Sequence, residues 1–597
     1  VPADIISLAS TRLRHLKIFG GALLCLIVLR VGYLKVGWAE YYAALADETT
    51  VTVSRPPDPT PGSFLDCHNR RVAYSERVYT VAVEPAKVRA AGVSDQAARA
   101  LAAQLGGDYQ TILEAINAPA GRWKPIAYHI PPSTADKVRS LKITGVTCAP
   151  TFMRKYPYGR VGCHLVGLRG RDHSPLDGIE KMYRFLIDGV PGTPRTNVDA
   201  YGRLIVGQED APVLPPEPGK DVVLAVDMDL QQVADEALDE CMARNQPTTA
   251  TCVVFDVRTG AIRALASRPN YDPNAIAGGP TDGTKVQSPP QINQAPLPVV
   301  RAFEPGSTFK ILTATAAIEL GVADESTSFH CSGQEEIGGK PLKCWGKYAT
   351  EGHGDITLPQ MLTLSCNLFA AHLAMRIGPE RFVKFLENAG IGSPTHCGYP
   401  YDAAGTLHPA SQLRTRDLAN MGFGQNVSVT DVQLLAAASA CVNGGVLLQP
   451  RVVDRVLTAD GALYSELQPV SLRRVCSERT SARVRKMLRA VVDVGTGKPA
   501  RIPGVAVGGK TGTAQKWGSE DGQWRINGYI MSFMLFVPID TVPRYAILVT
   551  AEDPKQGEHG SDVAAPAARK VALEICRSSG LLTEAQYMKA RTPAAPG

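Results

Sequence analysis

The sequence predicts an α/β domain, a central sheet with helices on both faces, preceded by an extended α+β module and one N-terminal transmembrane helix. Three observations predict it. Beyond residue 219 a strand, a helix, a hairpin, a long helical section and further strands near 526–550 follow one another, the order of a layered sheet-and-helix domain. Between about 64 and 218, short alternating runs such as 78–83 mix with brief helical stretches such as 94–105. Near the N-terminus an uninterrupted apolar run spans 18–29.

Length and composition agree with several packed units. At about 150 residues per domain, 597 residues make a multidomain chain. With 44% hydrophobic and 20% charged residues, the chain has material for buried cores and lacks the signature of disorder. A net charge of +6 with no long Lys/Arg block argues against a nucleic-acid partner. The 13 cysteines include no C-x-x-C pair that would suggest a zinc ribbon.

Taken in order, residues 1–17 read as a cytoplasmic tail and 18–38 as the anchor. Twelve apolar residues rise only about 18 Å against a hydrocarbon layer of about 30 Å, so the span needs Arg30 to snorkel and Val31, Tyr33 and Leu34 to extend it. Arg12, Arg14 and Lys17 would hold the N-terminus in the cytoplasm, with Tyr33 and Trp38 at the far interface. A buried amphipathic helix and a cleaved signal peptide are the competing readings; the second lacks an A-x-A site. Residues 39–218 read as the α+β module, entered through the Pro-rich stretch 51–63 and closed by a second break at 212–219. The region 219–580 opens with a strand at 221–226 and an amphipathic helix at 229–244. A hairpin follows, made by 251–256 and 261–266 around Arg258-Thr259-Gly260. Residues 276–292 read as an exposed loop and 581–597 as a disordered tail.

Three short motifs carry the chemistry: Ser307-Thr308-Phe309-Lys310, Ser365-Cys366-Asn367 and Lys510-Thr511-Gly512-Thr513. Each is weak alone; together, in this order, they match the serine-acylation set of S-x-x-K, S-x-N and K-T-G. Pro305-Gly306 announces a helix start and the apolar run 311–318 a buried helix, which places Ser307 in the first turn. A serine hydroxyl needs a base, and Lys310, three residues on, shares its helix face. A lysine serves as a base only when burial or a neighbouring cation lowers its pKa, and Lys510 is the candidate neighbour. Lys510-Thr511-Gly512 should lie on a strand, where the Thr513 N–H could join that of Ser307 in an oxyanion hole and Lys510, Thr511 and Thr513 could hold a substrate carboxylate. Glu304 reads as a partner of the helix dipole rather than a catalytic acid.

These motifs, with more of the chain, resemble the class B penicillin-binding proteins, monofunctional peptidoglycan D,D-transpeptidases whose catalytic domain shares its fold with the serine β-lactamases. In the 39–218 region, which the resemblance makes a pedestal, Pro61-Gly62-Ser63-Phe64-Leu65-Asp66-Cys67-His68-Asn69-Arg70 resembles a degraded R-G-x-I-x-D-R-N-G segment. Arg154-Lys155-Tyr156-Pro157-Tyr158-Gly159, Cys163-His164-Leu165-Val166-Gly167 and Gly178-Ile179-Glu180-Lys181 are similar to its later stretches. Gly352-His353-Gly354, Gly422-Phe423-Gly424-Gln425, Asn443-Gly444-Gly445 and Gly495-Thr496-Gly497-Lys498 look like family landmarks in the catalytic region.

The resemblance implies that Ser307 attacks the penultimate D-Ala carbonyl of a D-Ala-D-Ala stem peptide, that terminal D-Ala leaves, and that a neighbouring stem's amine resolves the acyl-enzyme. Lys310 would be the base, Ser365 the proton relay, and Asn367 a hydrogen-bond partner of substrate and Lys310. β-Lactams would acylate the same serine, and no metal or organic cofactor is implied. The implied partners are stem peptides, a SEDS-type glycan polymerase with other cell-wall synthesis proteins, and the inner membrane, with the catalytic part outside. Ser532-Phe533, Glu552-Asp553-Pro554-Lys555 and Asp562-Val563-Ala564-Ala565-Pro566 resemble the division-type branch, which implies septal synthesis; the elongation-type branch is the alternative. Cys331 and Cys344, with hairpin-like spacing around Gly338-Gly339, read either as a disulfide in an oxidising exterior or as two free thiols. Cys366 reads as a small buried neighbour of the site and His353 as structural. Two rival classes remain: a β-lactamase or D,D-carboxypeptidase, for which no deacylating base can be identified, and a non-catalytic sensor or scaffold.

Overall fold

The computed structural model describes residues 19–33, 58–119, 123–170, 174–192, 214–277, 295–399, 401–517 and 524–591. Two compact units divide the chain. The first, Val1–Pro59 with Val190–Glu217, contains a helix over 19–33 whose residues are all exposed, and an antiparallel bridge between Val190 and Glu217. Among the described residues no helix is long and apolar enough to cross a membrane. The ends of the expected 18–38 span, and most of the loop expected at 276–292, lie outside the described residues.

The second unit, Thr60–Gly189 with Pro218–Gly597, carries the chemistry on a five-stranded antiparallel sheet. Across it the strands run Gly508–Trp517, Trp524–Val537, Tyr545–Glu552, Thr249–Asp256 and Ile262–Arg268. The last two are the hairpin that Arg258-Thr259-Gly260 announces. Both faces are apolar, so alternate residues feed different cores. Val253, Phe255, Met534, Phe536, Ala546 and Leu548 pack under the helices Lys310–Glu319, Asp431–Val442 and Glu478–Asp493. Cys252, Val254, Phe533, Leu535, Val537, Ile547 and Val549 pack under Met228–Asn245 and Ala565–Ser578. Three of these helices start on a side chain that accepts from an orphan N–H group: Asp227 from Asp229 N, Thr430 from Gln433 N, Ser477 from Thr480 N.

The Pro-rich break near 218 does not separate two sheets. Phe64–Leu65 pairs parallel with Asp221–Leu224, which pairs with Val453–Leu457, while Phe64–Leu65 also pairs antiparallel with the long strand Arg71–Val83. One seven-stranded sheet therefore runs from the α+β lobe into the catalytic region. The lobe adds Lys124–Ile130 and Val146–Lys155 to Arg71–Val83, and packs Ser94–Leu105, Tyr109–Asn117 and Pro132–Ser140 over Val81, Val83, Leu101, Ile112 and Ile116.

The expected disordered tail is corrected in part. Glu584–Arg591 is a helix, and Leu582 and Ala590 are buried in the second core against Ala565–Ser578. Arg569 donates to the Ala590 carbonyl. A mostly polar segment hid this docking because only Leu582 and Ala590 are buried in the core, with Tyr587 packed half-buried against it. Residues 592–597 lie outside the described residues.

Motifs far apart in the α+β lobe meet in one buried network. Glu180 accepts from Arg154 Nε and Arg169 Nε, both at 2.6 Å, and from the Tyr156 hydroxyl at 3.4 Å. The turn Asp66-Cys67-His68 is closed by Arg70, whose Nε donates to the buried Asp66 carboxylate at 2.7 Å. A buried carboxylate between two guanidiniums cannot be removed without leaving uncompensated charge. Glu180→Gln is expected to cost about 3–5 kcal/mol in urea-induced unfolding; a loss below about 1 kcal/mol would mean that the guanidiniums reach water.

Candidate active site

Ser307 lies in a one-turn 3-10 segment, Gly306–Phe309, that runs directly into the helix Lys310–Glu319. Gly306 adopts φ +56°, and a Cβ there would fall 3.0 Å from Ala514 Cβ and 3.2 Å from the Thr513 carbonyl. The turn holding Ser307 is thus pressed against the strand Gly508–Trp517 at Thr513–Ala514. That strand is the edge of its sheet, so among the described residues one side of its backbone is free of strand partners. Gly512 is needed for the same approach: a Cβ would meet Ser532 Oγ at 2.2 Å and Thr308 Cγ2 at 3.0 Å.

The three motifs converge around Lys310. Its Nζ, fully buried, contacts the Ser365 carbonyl at 2.6 Å, Asn367 Oδ1 at 2.7 Å, Ser307 Oγ at 3.0 Å and Ser365 Oγ at 3.2 Å. Lys510 Nζ, equally buried, donates to Ser365 Oγ at 2.9 Å and to the Thr511 carbonyl at 3.1 Å. Ser365 can present both its carbonyl and its hydroxyl because its backbone sits at φ +57°, a left-handed conformation costly for serine and held by the helices on either side. A chain of polar contacts therefore runs Ser307 Oγ, Lys310 Nζ, Ser365 Oγ, Lys510 Nζ.

The electrostatics follow from burial. Desolvation pulls the Lys310 ammonium down to about 8. Desolvation, reinforced by the nearby Lys310 charge, pushes Lys510 well below the usual lysine range. With two N–H groups of Lys310 committed to the Ser365 carbonyl and Asn367 Oδ1, the third tetrahedral position faces Ser307. In the neutral amine that position is a lone pair aimed at the hydroxyl, the geometry of a general base.

Ser307, Ser365 and Asn367 line a cleft of about 630 Å³, together with Thr511, Thr513, Trp345 and Thr496. A larger hollow of about 1000 Å³ beside Met228–Asn245 contains none of them. Thr496, a landmark with no assigned role in the sequence, shares a hydrogen bond with Thr511 at 3.0 Å, and its own N–H reaches the Thr363 carbonyl. Only the fold brings it there. Glu304 departs from expectation: its carboxylate accepts from Asn426 N at 2.8 Å, so it fastens the Gly422–Gln425 turn rather than the first turn after Ser307.

The cysteines also differ from expectation. Cys331 and Cys344 are both free thiols, and they gather with Cys366 and His353 so that the four ligand-type atoms lie within 4.8 Å of one another. The lack of a C-x-x-C pair had pointed away from metal ligation; a set dispersed from residue 331 to 366 leaves no such local signal. Hydrogen bonding to Cys366, then to His353, holds Cys344 and Cys331 well below the ordinary thiol range. Of the four, Cys366 and Cys344 also touch the second motif: the Asn367 N–H donates to Cys344 Sγ at 3.4 Å, and Cys366 stands between Ser365 and Asn367.

Comparison with known proteins places this geometry in context. The family model of the penicillin-binding protein transpeptidase domain matches residues 250–573, and that of the penicillin-binding protein dimerisation domain matches 57–224. Stage V sporulation protein D of Bacillus subtilis is 32% identical over 560 residues, 93% of this chain and 84% of that protein. Peptidoglycan D,D-transpeptidase FtsI of Escherichia coli is 29% identical over 563 residues, 93% and 90% of the two chains. Among solved structures, penicillin-binding protein 2X of Streptococcus thermophilus superposes with a TM-score of 0.73 at 20% identity, over 89% of this chain and 80% of that one. Penicillin-binding protein 3 of Mycobacterium tuberculosis, complexed with aztreonam, gives 0.67 at 24% identity over 88% and 97%.

A base role for Lys310 would require its neutral form, so the reactive fraction would rise with pH until the group is deprotonated. Acylation of Ser307 by an activated carbonyl is expected to accelerate about tenfold per unit below pH 8 and to level off above it. Stopped-flow acylation between pH 6 and 9.5 checks this; a flat profile would remove Lys310 from the role.

Proposed function

The chain belongs to the penicillin-binding proteins, class B, with both the dimerisation and the transpeptidase domains, and we propose that it is a peptidoglycan D,D-transpeptidase working through a serine acyl-enzyme on Ser307. The observation that carries this reading is the fully buried Lys310 Nζ, 3.0 Å from Ser307 Oγ with two of its N–H positions occupied. Ser307 Oγ attacks the carbonyl of the penultimate D-Ala as its proton passes to Lys310. The C–N bond to terminal D-Ala breaks, and the proton reaches the leaving amine through Ser365 Oγ, which both lysines contact. An amine from a second stem then attacks the ester, gives a proton to the same relay, and Ser307 is regenerated. The N–H groups of Ser307 and Thr513 serve the developing oxyanion, and Lys510, Thr511 and Thr513 bind the substrate carboxylate. Asn367 orients Lys310 and the substrate.

β-Lactams mimic the scissile amide and acylate Ser307 in the same way. Residues 39–218 form the pedestal of a catalytic part that begins at 219. The helix over 19–33, apolar and wholly exposed, supports an anchor over 18–38 that holds the chain in the inner membrane with residues 1–17 inside the cell and the remainder outside. A SEDS-type polymerase is the expected partner, and septal synthesis the expected process.

Incubation with a fluorescent penicillin tests the reading. The native chain is expected to carry one long-lived adduct, Ser307→Ala none, and Lys310→Ala to acylate about 10²–10⁴-fold more slowly. Rapid release of the hydrolysed drug would point to a lactamase instead, and an adduct surviving Ser307→Ala would sink the assignment.

A further inference from the structure

The segment from 328 to 357 forms one wall of the cleft on very little structure of its own. Its structure is two isolated antiparallel ribbons, Ser328–Cys331 with Gly354–Thr357 and Gln334–Ile337 with Lys340–Lys343, each strand four residues long, and one helical turn, Tyr348–Glu351. Two-stranded ribbons of that size are marginal without further support. Between and beneath them lie Cys331, Cys344 and His353, and Cys366 joins them from the start of the helix Asn367–Ile377.

The spacing of the four donors is that of a coordination shell. Cys331 Sγ and Cys344 Sγ lie 3.4 and 3.6 Å from His353 Nδ1, and Cys344 Sγ lies 4.0 Å from Cys366 Sγ. A tetrahedral zinc ion with Zn–S of about 2.3 Å and Zn–N of about 2.0–2.1 Å requires ligand-to-ligand edges of about 3.5–3.8 Å. The three thiols are buried, and the imidazole is held in place by stacking on Tyr348, with ring centroids 4.0 Å apart. The remaining buried cysteines of the catalytic part, such as Cys252, Cys441 and Cys576, are not among the residues gathered in this way.

We propose that Cys331, Cys344, Cys366 and His353 form a structural Zn²⁺ site that fastens this wall of the cleft to the Ser365-Cys366-Asn367 motif. Bound zinc holds all three cysteines as thiolates and displaces any protons they still carry, leaving a closed Cys₃His shell with no open position for substrate. The link to the chemistry is short. Cys366 is covalently joined to Ser365 and Asn367, Cys344 Sγ accepts from Asn367 N, Asn367 Nδ2 reaches the Lys343 carbonyl at 3.4 Å, and Trp345 Nε1 donates to the Leu364 carbonyl at 3.0 Å. The ion is a positioning element: it holds the left-handed turn at Ser365 that presents a carbonyl and a hydroxyl to Lys310. The positioning role rests on the proposed acylation chemistry, whereas the metal site stands on the four donors alone.

The test uses the full chain, purified from zinc-supplemented medium with reductant and without chelator, and reads zinc by mass spectrometry of the elements. About one zinc per chain is expected, retained in Ser307→Ala and reduced at least tenfold in Cys331→Ser and in His353→Gln, two variants in case either fails to fold. Native alkylation should spare Cys331, Cys344 and Cys366 until zinc is stripped with 1,10-phenanthroline. Stripping should slow fluorescent-penicillin acylation of Ser307 at least tenfold, with recovery on adding Zn²⁺ alone. A chain without zinc, a two-dalton mass deficit from a Cys331–Cys344 disulfide, or zinc unchanged in both ligand variants would overturn the site. Zinc loss with unchanged acylation would overturn its positioning role. Because zinc content is read on Ser307→Ala as well, failure of the metal site and failure of the acylation reading give different results.

Discussion

The site depends on keeping one lysine dry. Lys310 Nζ has no contact with bulk water and no carboxylate beside it; its partners are a carbonyl, an amide oxygen and two hydroxyls. Neutral acceptors satisfy its N–H groups, and desolvation outweighs the raising influence of the nearby Cys344 and Cys366, so its basicity falls to about 8. A carboxylate in place of Asn367 Oδ1 would give a stronger contact and a poorer base. Lys510 stands on the far side of Ser365, where burial and the Lys310 charge pull it down in turn.

The rest of the catalytic domain makes that burial possible. A sheet apolar on both faces carries two helical layers, and the helix Lys310–Glu319 is buried along almost its whole length between sheet and helices. A polar nitrogen at the first turn of such a helix cannot snorkel to solvent. The Ser307 turn is fixed from the other side by the edge strand, which can come close only because Gly306 and Gly512 lack side chains. The pedestal applies the same physics to different ends: Arg154, Arg169 and Glu180 are buried as a matched set, which ties together three stretches of chain that share no local periodicity.

Much of the architecture was legible because it is written in local patterns. The hairpin around Arg258-Thr259-Gly260, the helix within Met228–Asn245 and the helix Ser94–Leu105 follow from turn chemistry and apolar spacing. The tail helix Glu584–Arg591 was not legible, since its burial rests on two residues and on a surface supplied by Ala565–Ser578. Nor was the continuity of the seven-stranded sheet across the Pro-rich break, because the two-residue strand Phe64–Leu65 has no periodicity of its own and gains its place only from its neighbours.

By itself the sequence determined which chemistry is present: a serine three residues before a lysine at a helix start, a second serine two before an asparagine, and a lysine leading a glycine-containing strand. Spacing within a turn or along a strand is a local property, and it suffices to name those residues. Tertiary structure alone decided what they meet. It set Ser365 in a left-handed turn between two lysines, turned Glu304 away toward Asn426, placed Thr496 against Thr511, and collected three cysteines and a histidine from separate short elements. Contacts of that kind depend on the packing of a whole domain, and no window of the chain contains them.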